Sequence, residues 1–350
     1  GFLGILLFGW NRVSPAVHFF STLMVALGSM FSAVWIVVAN SWQQTPAGYH
    51  IVGEGMKARA EIMDFWAMVF NPSSVDRLSH VIIGAFLAGA FLVMSVHAYY
   101  LVRGRHIEIS KRAFKIALGV AMLASIAQLL TGHRSAEGVA VNQPAKLAAF
   151  EGHFAEKAPG DLYLLGWVDK ESQTVHGIYL PGGLSYLLYQ DFEQAVTGLN
   201  AFPETDRPSQ VNAVFQFYHL MVAIGMFLIA ISFLAGILWW RGILFSQTWL
   251  LKIFVPAVLL PQLANQFGWY AAEMGRQPWV VYGLLRTSDA LSKAVKAEQI
   301  LFSLILFTLV YMLLFSLFIY MLNKKIQKGF GEEKADPIPT YSKRNNPILN

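Results

Sequence analysis

Cysteine is absent from the 350-residue sequence, and only 13% of its residues are charged. Soluble domains carry about 25% charged residues, so this supply excludes a soluble single domain and a disordered chain. Without thiols there can be no disulfide framework, zinc finger, iron–sulfur cluster, thiolate haem ligand or cysteine nucleophile. Any metal must be held by His, Met or carboxylate. The formal net charge of +5 could suggest nucleic acid, but 55% of the residues are hydrophobic. In such a chain the placement of the positive residues matters more than their sum. The partner these numbers indicate is a lipid bilayer, with no nucleic acid.

What the sequence does have is long apolar runs. Crossing about 30 Å of hydrocarbon takes about 20 helical residues. Six nearly uncharged segments provide the length: Pro15–Asn40, His80–Val102, Phe114–Thr131, Val211–Trp240, Ile253–Ala272 and Ile300–Asn323. None alternates apolar and polar residues as a membrane β-strand would, so the expected fold is an all-α, multi-span helical bundle. The opening run Gly1–Trp10 is too short to span and lacks a signal peptide's basic start. It reads as the end of a helix that begins upstream. No internal repeat is evident, which argues against a repeat-built transporter.

The basic residues orient the bundle. Connections around Arg12, Arg103–Lys115 and Arg241–Lys252, with the segment from Lys324, hold 14 of the 26 Lys/Arg but four of the 21 acids. That set is expected on the cytoplasmic side and the longer, more acidic set outside. The expected organisation is therefore membrane helices over 1–131, an outer loop over 132–210, three membrane helices over 211–323 and a cytoplasmic tail over 324–350. Within the first block, residues 58–70 place Ile62, Phe65, Trp66 and Val69 on one face, which reads as an amphipathic helix at the outer interface.

Ionisable groups at membrane depth are costly and become functional candidates. His18, His80, His97 and His219 fall within spans. His80 and Met221 lie on different helices at similar outer depth, which suits an axial pair for a low-spin haem. A satisfied interhelical His and a packing Met are the alternatives. In the run GWYAAEMGRQPW (Gly268–Trp279), Glu273 ends an uncharged span, one turn from both Trp269 and Arg276. Such a carboxylate can ligate iron or move protons, and the Arg can pair with it. An ordinary interfacial belt of Trp, Arg and Glu is the alternative.

The GRQPW block with the downstream GLLRT (Gly283–Thr287) resembles the signature of subunit I of the cytochrome bd-type quinol oxidases. WIVVANSWQQTP (Trp35–Pro46) resembles that family's second marked block, and QPAKLAAFEGHF (Gln143–Phe154) the start of its periplasmic quinol loop. The resemblance runs from Gly1 to Asn323. It implies a haem-bearing subunit of an electrogenic quinol:O2 oxidoreductase in the cytoplasmic (inner) membrane of a bacterium or archaeon, with the long loop outward and the C-terminus inside. His80 and Met221 would be the axial ligands of low-spin haem b, and Glu273 that of high-spin haem b. Trp269, Arg276, His219, Asn40 and Trp42 would surround the haems, while Lys146 and Glu151 would serve quinol oxidation. The ligand of haem d, where O2 is reduced, would lie upstream of Gly1. Implied partners are subunit II, a small single-helix subunit, quinol and O2.

Two features depart from the family. His219 stands where an Arg is common, so it would hold a propionate weakly or compete as a ligand. The outer loop is at the short end of the family's range. Rival readings are a quinol-linked b-type electron carrier without an oxygen site, a transporter using the membrane histidines, and a scaffold subunit.

Overall fold

The computed structural model describes residues 1–9, 12–55, 58–292 and 294–330. In chain order the elements are α1 (Phe2–Phe8), α2 (Pro15–Gln44), β1 (Tyr49–Val52), β2 (Arg59–Ile62), α3 (Phe65–Val69), α4 (Ser74–Val102), α5 (Ile107–Asn142) and α6 (Pro144–Glu151). They continue with β3 (Leu162–Asp169), β4 (Thr174–Leu180), α7 (Gly183–Tyr189), α8 (Val211–Trp240), α9 (Thr248–Phe254), α10 (Leu259–Met274), β5 (Trp279–Val281), β6 (Leu285–Arg286) and α11 (Ala297–Lys328). Among the described residues, six helical segments are long and apolar enough to cross a membrane, with α9 and α10 together forming the fifth.

The helices begin and end where local chemistry dictates. Ser14 caps α2 by accepting from Val17 N–H, and Pro15 occupies the first turn, where a missing N–H costs nothing. The fifth span is interrupted at Pro256, where a short 3-10 turn separates α9 from α10. Ser95 of α4 donates to the carbonyl of Val255 just before that break, so a backbone group at the interruption stays satisfied inside the bundle.

Lipid is as apolar as leucine, so the bundle coheres by close packing. The core joins α4, α5, α8 and α9 through Phe91, Met94, Phe114, Leu118, Leu228 and Phe254. Small residues line the α4–α5 seam: Ala90, Ala98, Ala117, Ala121 and Ala124. Helix α4 packs on α5, α9 and α10, while α8 packs on α5 and α10. Helices α4 and α8 thus stand diagonally, flanked by the other two. Helix α11 buries no residue; it meets the rest at its last turns, where Tyr100 Oη donates to the Ile326 carbonyl.

Several boundaries differ from the sequence expectation. The third span runs unbroken to Asn142, and residues 132–142, expected in the loop, are its last turns. Gly132 and Gly138 are tolerated, and no proline occurs until Pro144, before which Gln143 leaves the helical region. Residues 58–70 are not one amphipathic helix. Strand β2 pairs antiparallel with β1, and only the five residues of α3 coil, capped by Asp64. The aromatics of that stretch remain exposed, as an interfacial position requires. The expected cytoplasmic tail is helical to Lys328, and residues 331–350 lie outside the described part.

The long connection between α5 and α8 is ordered structure, not a tether. Helix α6 starts at Pro144 and stops at Gly152, which adopts φ +70°. The β3–β4 hairpin then lies against α8, and three polar residues one turn apart on that helix grip the edge of β3. Asn212 Oδ1 accepts from Val168 N–H at 3.1 Å, Gln216 donates to the Gly166 carbonyl at 2.7 Å, and His219 Nε2 meets the Tyr163 carbonyl at 2.8 Å. An edge strand left bare in a membrane boundary would expose unpaired backbone groups; this stripe pairs them.

Gly152 gives a test of that loop. Any side chain there is strained by the positive φ, and a Cβ would come within 2.6 Å of Val175 on β4. Gly152→Ala should lower stability by about 1–2 kcal/mol, seen as a lower thermal midpoint in detergent and faster proteolysis between residues 152 and 211. An unchanged midpoint would contradict the packing described.

Candidate functional site

Helices α2, α4, α6 and α10 bring polar side chains to one end of the bundle. Glu273, on the last turn of α10, is the hub. Its Oε1 accepts from Asn40 Nδ2 of α2 at 2.9 Å and from Gln44 Nε2 at 3.5 Å. Its Oε2 accepts from Arg276. Arg77, at the start of α4, donates to Asn40 Oδ1 and stands over the Trp269 ring, 5.9 Å from its centroid. Arg276 Nη1 also donates to Gln43. The block from Trp35 to Pro46 thus touches the GRQPW block directly, through Asn40, Gln43 and Gln44.

Lys146 enters from α6. It is 2% exposed, and its Nζ donates to Gln44 Oε1 at 2.6 Å and Gln143 Oε1 at 2.7 Å. Burial, reinforced by the positive charges of Arg77 and Arg276 and opposed by Glu273, holds its pKa well below the usual lysine value. Glu151, one and a half turns on, points elsewhere. It is fully buried beside Tyr218 of α8, whose ring stacks on Phe150 at 4.6 Å. Neither carboxylate oxygen has a hydrogen-bond partner among the described residues. Burial pushes its pKa up to about 8, with Tyr218 opposing the shift. Lys146 and Glu151 are both interior and face different neighbours.

His80 on α4 lies one turn beyond Arg77. Its Nδ1 meets Thr131 Oγ1 at 3.2 Å and its Nε2 meets Gln128 Nε2 at 2.9 Å. Met221 on α8 lays its sulfur over Gly268 of α10, where a Cβ would sit only 2.7 Å from Sδ. His80 and Met221 thus stand on the diagonal pair of helices. His219 is two residues from Met221, which puts it about 200° around the helix. Its Nδ1 meets the Phe215 carbonyl at 2.9 Å, so with Tyr163 both ring nitrogens are engaged by backbone. In this arrangement His219 ties α8 to the edge of the β3–β4 hairpin. Trp42 is also turned away, donating to the Ala47 carbonyl at the turn after α2.

Sequence reading missed Arg77, Gln44, Gln143 and Tyr218. Arg77 had a signal, since it precedes His80 by one helical turn. Gln44 and Gln143 sit inside the marked blocks but are neutral and drew no attention.

A membrane bundle with a charged, histidine-bearing and methionine-bearing end, closed by the ordered connection between α5 and α8, defines the class: a polytopic redox subunit. Residues 1–330 match the family Cytochrome bd terminal oxidase subunit I, and the chain belongs to that family of quinol oxidases. It is 33% identical to the cytochrome bd ubiquinol oxidase subunit 1 of Bacillus subtilis (strain 168), over 97% of this chain and 74% of that one. It is 29% identical to the cytochrome bd-II ubiquinol oxidase subunit 1 of Escherichia coli (strain K12), over 94% and 76%. Its fold matches the bd oxidase structure from Geobacillus thermodenitrificans with a TM-score of 0.80 at 29% identity, over 94% of this chain and 74% of that one.

The buried carboxyl makes a direct prediction. With a pKa near 8, Glu151 is protonated at pH 6 and ionises as pH rises through about 8. Infrared spectra of the purified protein should carry a protonated-carboxyl band that fades across that pH range and is missing in Glu151→Gln. A band that persists in the variant would assign it to another group.

Proposed function

We propose that this chain oxidises quinol at the outward end of the bundle and holds the haems through which a terminal oxidase reduces O2. The observation that carries the reading is the convergence of Lys146, Gln44, Glu273, Asn40, Arg276 and Arg77 at the same end as His80 and Met221. The Lys/Arg bias supports the outward orientation, in a cytoplasmic membrane, with protons released on that side.

Haem fits the residues present. Arg77, Lys146 and Arg276 gather around one carboxylate, an excess of positive charge, and the Nε atoms of Arg77 and Arg276 are buried without partners among the described residues. An anionic cofactor edge such as a propionate pair would balance them. Glu273 Oε2 takes a single donor and keeps a lone pair for iron. A hydrogen bond from His80 Nδ1 to Thr131 puts the lone pair on Nε2, where it accepts from Gln128 Nε2 at 2.9 Å; ligation of iron would take the place of that contact. On this reading His80 and Met221 hold low-spin haem b, Glu273 holds high-spin haem b, and Trp269, Asn40 and Arg276 pack around them. The groups supply one-electron redox chemistry and, at haem d, the reduction of O2 to water.

The chain's own part is proton handling and positioning. Lys146, whose burial eases loss of the amine proton, would serve as the base for one phenolic proton. Glu151, titrating near 8, can bind and release the second around neutral pH. Arg276 and Asn40 fix the Glu273 carboxylate. Subunit II, and a small single-helix subunit, would cover lipid-facing surface such as α11.

His80→Ala and Met221→Leu should each abolish the six-coordinate low-spin spectrum while the protein still inserts. Glu273→Gln should alter the high-spin bands and suppress oxygen uptake, leaving the low-spin haem reducible by quinol. Normal spectra in all three variants would refute the ligand assignment. Lys146→Met or Glu151→Gln should slow quinol oxidation while artificial donors still reduce the haems; a parallel loss with both donors would make these residues structural.

A further inference from the structure

Gln44 is the best-connected residue of the site with no role so far. It is 1% exposed, lies in the last turn of α2, and is uncharged. Its side-chain oxygen accepts from Lys146 Nζ at 2.6 Å, and its nitrogen points to Glu273 Oε1 at 3.5 Å, the long end of the hydrogen-bond range. Its backbone carbonyl accepts from Gln143 Nε2 at 3.0 Å, which in turn leaves the Gln143 oxygen to accept from Lys146 at 2.7 Å.

The amide orientations are forced. The nitrogen of Gln44 faces a carboxylate and that of Gln143 a carbonyl, so reversing either amide would set its NH2 against the amine of Lys146 and its oxygen against another oxygen. Two of the three bonding positions on the Lys146 nitrogen are therefore taken by fixed acceptors. One position remains, an N–H if the amine is charged and a lone pair if it is neutral.

We propose that Gln44 is a positioning residue that couples the quinol site to the high-spin haem site: its oxygen aims the free position of Lys146, and its nitrogen supports Glu273. The inference rests on the quinol and haem reading above. The Gln44 amide dipole lies between the amine and the carboxylate, favourable to both. A change on one side is felt on the other through a single rigid group, with no movement of the backbone.

The test uses the purified oxidase complex with its haems. Gln44→Met keeps the length and removes both polar atoms. Gln44→Glu keeps the acceptor for Lys146 and places negative charge beside Glu273. Gln44→Met should lower kcat/KM for quinol by about tenfold or more, as expected for losing a hydrogen bond to a buried amine, with reduction by artificial donors unchanged. Combined with Lys146→Met it should cost nothing further, because one residue acts through the other. Gln44→Glu sets a second carboxylate against Glu273 and should move the midpoint potential of the high-spin haem negative in a spectroscopic redox titration. Additive losses in the double variant, or normal quinol kinetics in Gln44→Met alongside impaired Lys146→Met, would overturn the proposal and leave the quinol site standing. Normal kinetics in Lys146→Met would remove the quinol reading itself. If Gln44→Met fails to assemble, Gln44→Glu still decides, since an unchanged potential would overturn the coupling.

Discussion

Arg77, Lys146 and Arg276 come from three separate segments, and their charges meet at Glu273. Much of the architecture at this end follows from that meeting. Isolated charges at a membrane boundary are expensive, so each cation must find an acceptor. Asn40 serves Arg77, Gln43 and Glu273 serve Arg276, and two glutamine oxygens serve Lys146. Those acceptors lie on α2, on α10 and at Gln143 just before α6, so satisfying the charges fixes how these elements approach one another. The positive excess that remains is a natural seat for an anionic cofactor edge. Structural economy and redox function thus make the same demand on the site.

The outer loop belongs to this arrangement. Helix α6 places Lys146 against α2 and Glu151 against α8, so the two residues read as a quinol pair face different neighbours. Strand β3 is held to α8 by Asn212, Gln216 and His219, on the helix that carries Met221. Arg286, in the GLLRT run, stacks over Trp279 at 4.5 Å and donates to the Thr205 carbonyl and to Asp206. The loop is therefore pinned at both ends to helices bearing candidate ligands. Movement of the loop cannot be independent of them.

How far the sequence could be read depended on the kind of signal. Apolar length revealed all six spans, since membrane thickness sets helix length directly. Pro144 and Gly152 would have bounded α6, and the quoted block contains both. The β1–β2 pair was hidden, because Ile62, Phe65, Trp66 and Val69 fit a helical stripe while the strand pairing depends on a partner strand across a turn, as in Tyr49 with Ile62. The continuation of α5 past Thr131 was hidden by its polarity, which resembles a loop unless the absence of proline is weighed. Charged and haem-competent site residues stood out against an apolar background. Gln44 and Gln143 did not, because a neutral amide gains its meaning only from what faces it. His219 shows the same limit: it stands two residues from Met221 in sequence, but its partner in space is the backbone of β3.

The central claim is that electrons from quinol enter haem held by this chain. Anaerobic addition of quinol to the purified oxidase, followed by absorption spectroscopy, tests it most directly. The account predicts that haem bands become reduced by quinol and that oxygen then reoxidises them. A protein with no haem bands, or with haem that quinol cannot reduce though artificial donors can, would contradict it.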